Sequence, residues 1–169
     1  MEIFIAIRTF FEAGGNVLYL IAAATFCMWA LIFERLWFIR TEHKEDVREA
    51  ITYWQKRGET SSWNAQMMRQ RIISEVSLSL TQNMSFIKTL ISLLPLLGLL
   101  GTVTGMVQVF EAMTYSGGNA RSMAAGVSAA TIPTMSGMVA TLSGVLANTF
   151  LSSKVAKQES LVEDSLAME

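Results

Sequence analysis

The strongest constraint on this chain is where its charges are missing. Glu12 and Glu34 bracket 21 uncharged residues, Lys88 and Glu111 bracket 22, and Arg121 and Lys154 bracket 32. A helix needs roughly 20 mainly apolar residues to cross the hydrocarbon core of a bilayer. Each run is long enough, and together they fill nearly half of the 169 residues. Only 16% of the chain is charged, against about 25% in an ordinary soluble domain. The pattern predicts an all-α membrane protein with three transmembrane helices, extended into a cytoplasmic helical bundle by the amphipathic stretches that flank them.

The basic residues set the orientation. Arg8 precedes the first span, eight Lys and Arg fall from Arg35 through Arg71, Arg121 stands alone between the second and third spans, and Lys154 and Lys157 follow the third. The excess of Lys and Arg marks the cytoplasmic side, so the N-terminus is expected outside and the C-terminus inside. Basic residues follow the first apolar run rather than precede it, the reverse of a cleaved signal peptide. The expected layout is an outer-face interfacial helix over 1–13, ended by Gly14-Gly15; spans over 14–39, 86–113 and 122–153; a cytoplasmic helical segment over 40–85; an outer loop over 114–121; and a cytoplasmic tail over 154–169.

Within the cytoplasmic segment Val47, Ala50, Ile51 and Trp54 keep helical spacing, Gly58 breaks it, and Ser61-Ser62 offers a new cap. Ile72, Ile73, Val76, Leu80 and Ile87 then run at helical spacing straight into the second span. His43 has no second ligand at metal-binding spacing and reads as a solvated surface residue; no metal or other cofactor is expected. Cys27, alone in the first span, reads as a buried thiol. A net charge of −1 without a basic stripe gives no sign of a nucleic-acid partner, and none is expected.

The first span is bulky and apolar, with Trp37 at its inner end placed for the interfacial belt. The other two differ in kind. The second carries Pro95, then Gly98, Gly101 and Gly105 around GLLGTVTG, and the third is rich in Gly, Ala, Ser and Thr. Small residues four apart, as in Gly126/Ala130/Thr134 and Ser136/Ala140/Gly144, let backbones approach closely where no hydrophobic effect drives association. As a helix the 32-residue run is about 48 Å long, so it tilts or extends past the bilayer.

No Asp, Glu, His, Lys or Arg lies inside these runs, which leaves no acid, base or nucleophile pair for membrane catalysis. What they hold is hydroxyls: Thr102 and Thr104, then Ser128, Thr131, Thr134, Thr141 and Thr149. Thr134 and Thr141 are two turns apart on one face, with Thr131 one turn from Thr134. A membrane Thr can satisfy its hydroxyl on its own helix, three or four residues back. A hydroxyl face on a small-residue helix can also hold a water wire without a charge to trap an ion.

The stretch LPLLGLLGTVTGM (94–106), followed by 125–150 and preceded by Glu34-Arg35-Leu36 at the end of the first span, resembles the MotA/TolQ/ExbB family of ion-driven motor subunits. Length and the IPTMSGMVATLSG stretch look most like the short ExbB proteins of TonB systems, some of which work beside a longer ExbB-like companion. The resemblance implies a homo-oligomeric ring, a pentamer, in the bacterial inner membrane. Its second and third helices would enclose a central pore around an ExbD-type transmembrane dimer with an essential Asp, and force would reach a TonB-type protein. Thr102 and Thr134 match the family's pore threonines. Ala129 stands where ExbB and TolQ proteins carry a Glu, and Ser143 where they carry a later Pro. Pro133 instead lies directly before Thr134 and removes the helical donor from the carbonyl of Ala129, which in a pore could hold water. A TolQ-like role in envelope maintenance, and a scaffold with no ion path, are the competing readings. A flagellar stator of the MotA type would carry four spans.

Overall fold

A computed structural model describes residues 1–41, 52, 63–116 and 120–165. These are helical apart from Met1 and a two-residue turn at 82–83, and no strand occurs among them. The elements are α1 (Glu2–Thr41), α2 (Trp63–Thr81), α3 (Met84–Ser116) and α4 (Ala120–Ser165). Three stretches, Gly14–Thr41, Gln66–Thr114 and Met123–Ser165, are long and apolar enough to cross a membrane. The expectations for His43, for the helix carrying Val47 to Trp54, for the break at Gly58 and for the Ser61-Ser62 cap fall outside the described residues.

The break expected at Gly14-Gly15 falls at Gly15, where φ 65 and ψ −166 interrupt α1. That region of backbone space is open essentially to glycine alone. Helical periodicity alone missed a second interruption. The run from Ile72 to Ile87 does not pass unbroken into the second span, because α2 stops at Thr81 and Asn83 adopts φ 63 before α3 begins. Asn is among the few non-glycine residues that enter this left-handed region readily. Gln82 N donates to Leu78 O at 3.0 Å, closing α2, while Ile87 N donates to Asn83 O at 3.1 Å, opening α3.

The chain divides into two compact units, Met1–Trp29 with Lys88–Val145, and Ala30–Ile87 with Leu146–Glu169. In the first, the buried positions are Gly14, Leu18, Ile21 and Met28 on α1; Ile91, Leu94, Gly98 and Gly101 on α3; and Ala130, Pro133, Gly137 and Gly144 on α4. Their spacing of three and four is that of left-handed bundles, whose helices cross near about 20°. In the second, Ile32 and Ile39, Leu80, Met84 and Ile87, and Leu151, Val155 and Val162 form an aliphatic interior.

The outer faces are apolar. Leu20, Phe26, Leu96, Leu99, Val103, Met138, Val139 and Leu142 are each more than half exposed or nearly so. Cys27 belongs with them. It is exposed rather than buried, because α1 packs through the face carrying Ile21 and Met28.

Candidate functional site

Glycine brings α3 and α4 together. A Cβ on Gly137 would stand 2.6 Å from the carbonyl oxygen of Leu94, one on Gly98 3.0 Å from the Cα of Thr134, one on Gly101 2.3 Å from the Pro133 ring, and one on Gly105 2.7 Å from the Ala130 Cβ. Backbone therefore meets backbone, and Gly98, Gly101, Gly105, Pro133 and Ala130 occupy one seam. Pro95 is half-buried within α3, and both Pro95 and Pro133 lie inside continuous helix. Each removes an N–H, so the carbonyls of Ile91 and Ala129 lose their usual donor one turn back.

The four candidate threonines have different surroundings. Thr134 is half-buried, and its Oγ1 donates to Gly98 O at 2.8 Å, a bond from α4 to α3 across 36 residues of sequence. Close approach at Gly98 makes this reach possible. Thr102 donates to Leu99 O and Thr131 to Ser128 O, both at 2.7 Å, and Thr141 donates to Gly137 O at 2.7 Å. These three place their protons on their own helix, which leaves their oxygen lone pairs available as acceptors. Thr104 does likewise, toward Leu100 O and Gly101 O. The structure thus joins Thr134 to Gly98 and leaves Thr131 exposed and Thr102 and Thr141 half-buried along the helix faces.

Ala129 is half-buried and lines a cavity of about 580 Å³ within the first unit, together with Pro133, Gly105, Thr104, Gln108 and Glu12. Among the described residues no group of three His, Cys, Asp or Glu is placed to hold a metal.

Periodicity did not single out Arg35. It is buried to 2% exposure, with Nη1 donating to Ser79 O at 3.0 Å in the last turn of α2. A cation there complements the negative end of the helix dipole. Its guanidinium also lies 5.0 Å from the centre of the Phe38 ring. Its Nε has no hydrogen-bond partner, and the Glu34 carboxylate, itself half exposed, stays 3.9 Å away. Glu34 also accepts from Asn83 Nδ2 at 3.4 Å, so Glu34 and Arg35 address the two sides of the α2–α3 turn. The sequence signal was present in a charge pair closing an apolar run, but burial of the Arg was not readable from it.

Residues 38–164 match the profile of the MotA/TolQ/ExbB proton channel family. The chain belongs to that family. The match takes in all of α2, α3 and nearly all of α4, and it starts beyond most of the first span, including Glu34-Arg35-Leu36. A putative biopolymer transport protein, ExbB-like 1, from Synechocystis sp. is 38% identical over 76 residues, covering 43% of this chain and 30% of that relative. The aligned part thus spans under a third of the curated relative's length. Membership, with three helices long and apolar enough to cross a membrane, makes the chain a multi-pass membrane protein of a proton channel family. The α3–α4 seam, with Thr134 at its centre, falls within the matched residues.

Proposed function

We propose that this chain is an ExbB-like subunit of a motor driven by the proton-motive force, which, with an ExbD-type partner, energises TonB-dependent transport across the outer membrane. The observation that carries the proposal is a mismatch between family and side chains. A proton channel family member has, between Lys88 and Glu111 and between Arg121 and Lys154, hydroxyls and glycine-exposed carbonyls but no titratable group. In this reading the protonatable group comes from another chain, and a transmembrane Asp on a dimeric partner, as the family resemblance implies, is the chemistry that fits. One charge moved through 100 mV supplies about 2.3 kcal/mol.

In this reading the subunit sits in the bacterial inner membrane with its N-terminus periplasmic and its C-terminus cytoplasmic, in keeping with the Lys and Arg distribution. Five copies, or copies mixed with a longer ExbB-like companion, form the ring. The apolar outer faces of α3 and α4 supply surface for neighbours and lipid. Thr102, Thr131, Thr134 and Thr141 line the proton pathway; Gly98, Gly101, Gly105, Pro95, Pro133 and Ala129 set its shape.

A non-conducting scaffold is the second reading, favoured by Thr102, Thr131 and Thr141 donating to their own helices. A paired substitution separates the two. Thr134→Ser keeps the hydroxyl and Thr134→Val keeps the shape. Energised uptake should survive the first and fail in the second while the complex still assembles with its partner. Normal uptake by Thr134→Val would overturn the pore role. Genetic complementation in strains lacking either the TonB or the Tol motor distinguishes the ExbB-like from the TolQ-like assignment.

A further inference from the structure

The cavity beside Ala129 is not lined by Thr102, Thr131, Thr134 or Thr141, and so lies apart from the hydroxyl face invoked above. All three helices of the first unit line it: Glu12 and Asn16 from α1 and Thr104 and Gln108 from α3 supply the polar side chains, and α4 adds Ala129, Ala130 and Pro133. At about 580 Å³ it has room for on the order of ten or more waters, each needing two to four polar partners.

Two backbone features border it. Gly15, at φ 65, takes the chain out of helical geometry where it lines the cavity. Non-helical backbone at membrane depth is tolerated only where protein or water satisfies it. Pro133, also in the lining, has no N–H to offer the carbonyl of Ala129. Ala129 and Ala130 add little side-chain volume to the lining, while Gly105 and Gly126 let Ala130 and Val109 pack closely beside it.

We infer that this cavity is a water-filled vestibule within each subunit, opening at Glu12 and carrying water and small hydrated cations to the carbonyl of Ala129, one turn from Thr134. Glu12 is the titratable residue of the lining. Arg8 faces it from the same helix at 2.8 Å, with both side chains well exposed, while α3 and α4 contribute no charge to the lining. The ion pair forms the mouth, and the passage beyond it is neutral, with Asn16, Thr104 and Gln108 set among apolar groups such as Val17, Val109 and Met123. The vestibule thus supplies water to the proposed pathway at the level where Ala129 stands, and only its outward opening rests on the orientation given under Proposed function.

Thiol labelling of the full assembled complex tests this. In a Cys27→Ser background, Ala129→Cys is exposed to a membrane-impermeant trimethylammonium methanethiosulfonate added from the periplasmic side. The unmodified chain's Cys27, exposed on an apolar face, is the lipid-facing control. Ala129→Cys should react at least about tenfold faster than Cys27, since a charged reagent follows water and not hydrocarbon. Thr104→Cys, close to isosteric, reports the same cavity from α3 should the first variant assemble poorly. Glu12→Gln should slow the cationic reagent by about threefold and leave a neutral one unchanged. Reaction no faster than at Cys27 at both positions, or reaction only from the cytoplasmic side, overturns the vestibule. Labelling is read on the protein and not on uptake, so a dry cavity and a failed motor assignment are told apart by the Thr134→Val result.

Discussion

The two units of this chain are held together by opposite means. In the first, helices approach until backbone meets backbone at Gly98, Gly105 and Gly137 and the Pro133 ring seats on Gly101, and the one described hydrogen bond from the hydroxyl of a candidate pore residue across the α3–α4 seam is Thr134 to Gly98 O. In the second, Leu80, Ile87, Leu151 and other large side chains fill the interior. Long polar side chains there bridge different helices: Arg35 to Ser79 O, Arg69 to Glu163 O at 3.2 Å, and Ser77 to Glu159 at 2.5 Å. The difference is one of side-chain volume. Small residues let helices gain close contact and hydroxyl-to-carbonyl bonds, the means of association that works without a hydrophobic effect. Large aliphatic side chains hold helices further apart, and long polar side chains, Arg35 among them, then span the gap to a neighbouring helix.

Arg35→Ala should give the largest loss of stability. It leaves the Ser79 carbonyl without its donor, about 1–3 kcal/mol, and adds the void of a long buried side chain. Arg35→Met, which fills the volume but offers no donor, should recover only the packing part of the loss in thermal unfolding of the detergent-solubilised complex. Equal losses would place the contribution in charge and not in packing.

Gly137→Ala comes next. Its Cβ would meet a main-chain oxygen at 2.6 Å, which cannot rotate away, so overpacking should cost near the top of the usual range of about 1–3 kcal/mol. Gly98→Ala, at 3.0 Å from the Thr134 Cα, should cost about 1 kcal/mol by the same melting assay. A ranking in which Gly98→Ala is the worse would break the description of this seam. Thr134→Val should lower stability by only about 0.6 kcal/mol, the mean for hydrogen bonds between membrane helices, yet abolish energised uptake. A large drop in melting temperature would make its role structural. Ser92→Ala should change neither measurement, as Ser92 is exposed and donates to Lys88 O of its own helix at 3.0 Å.

Much of the architecture was legible. Three uncharged runs set three helices, the Gly14-Gly15 pair marked the break in α1, and GLLGTVTG carried the family resemblance that the matched residues 38–164 support. The turn at Asn83 was not legible, because Val76, Leu80 and Ile87 stay buried on either side of it and keep the helical spacing intact. Cys27 was misplaced for a related reason. Membrane position says that a residue is surrounded by apolar groups, but not whether those groups are protein.

The sequence by itself determined the helical class, the number of apolar spans and the family, since hydropathy, charge and motif are local properties that survive whatever packs against them. Only the tertiary structure decided that, of four equivalent-looking threonines, Thr134 alone reaches across to Gly98 among those four, that Ala129 borders a cavity, and that Arg35 is buried. Each of those facts depends on which residue a neighbouring helix places opposite, 36 or 44 positions away in the chain, and helical periodicity carries no register between helices.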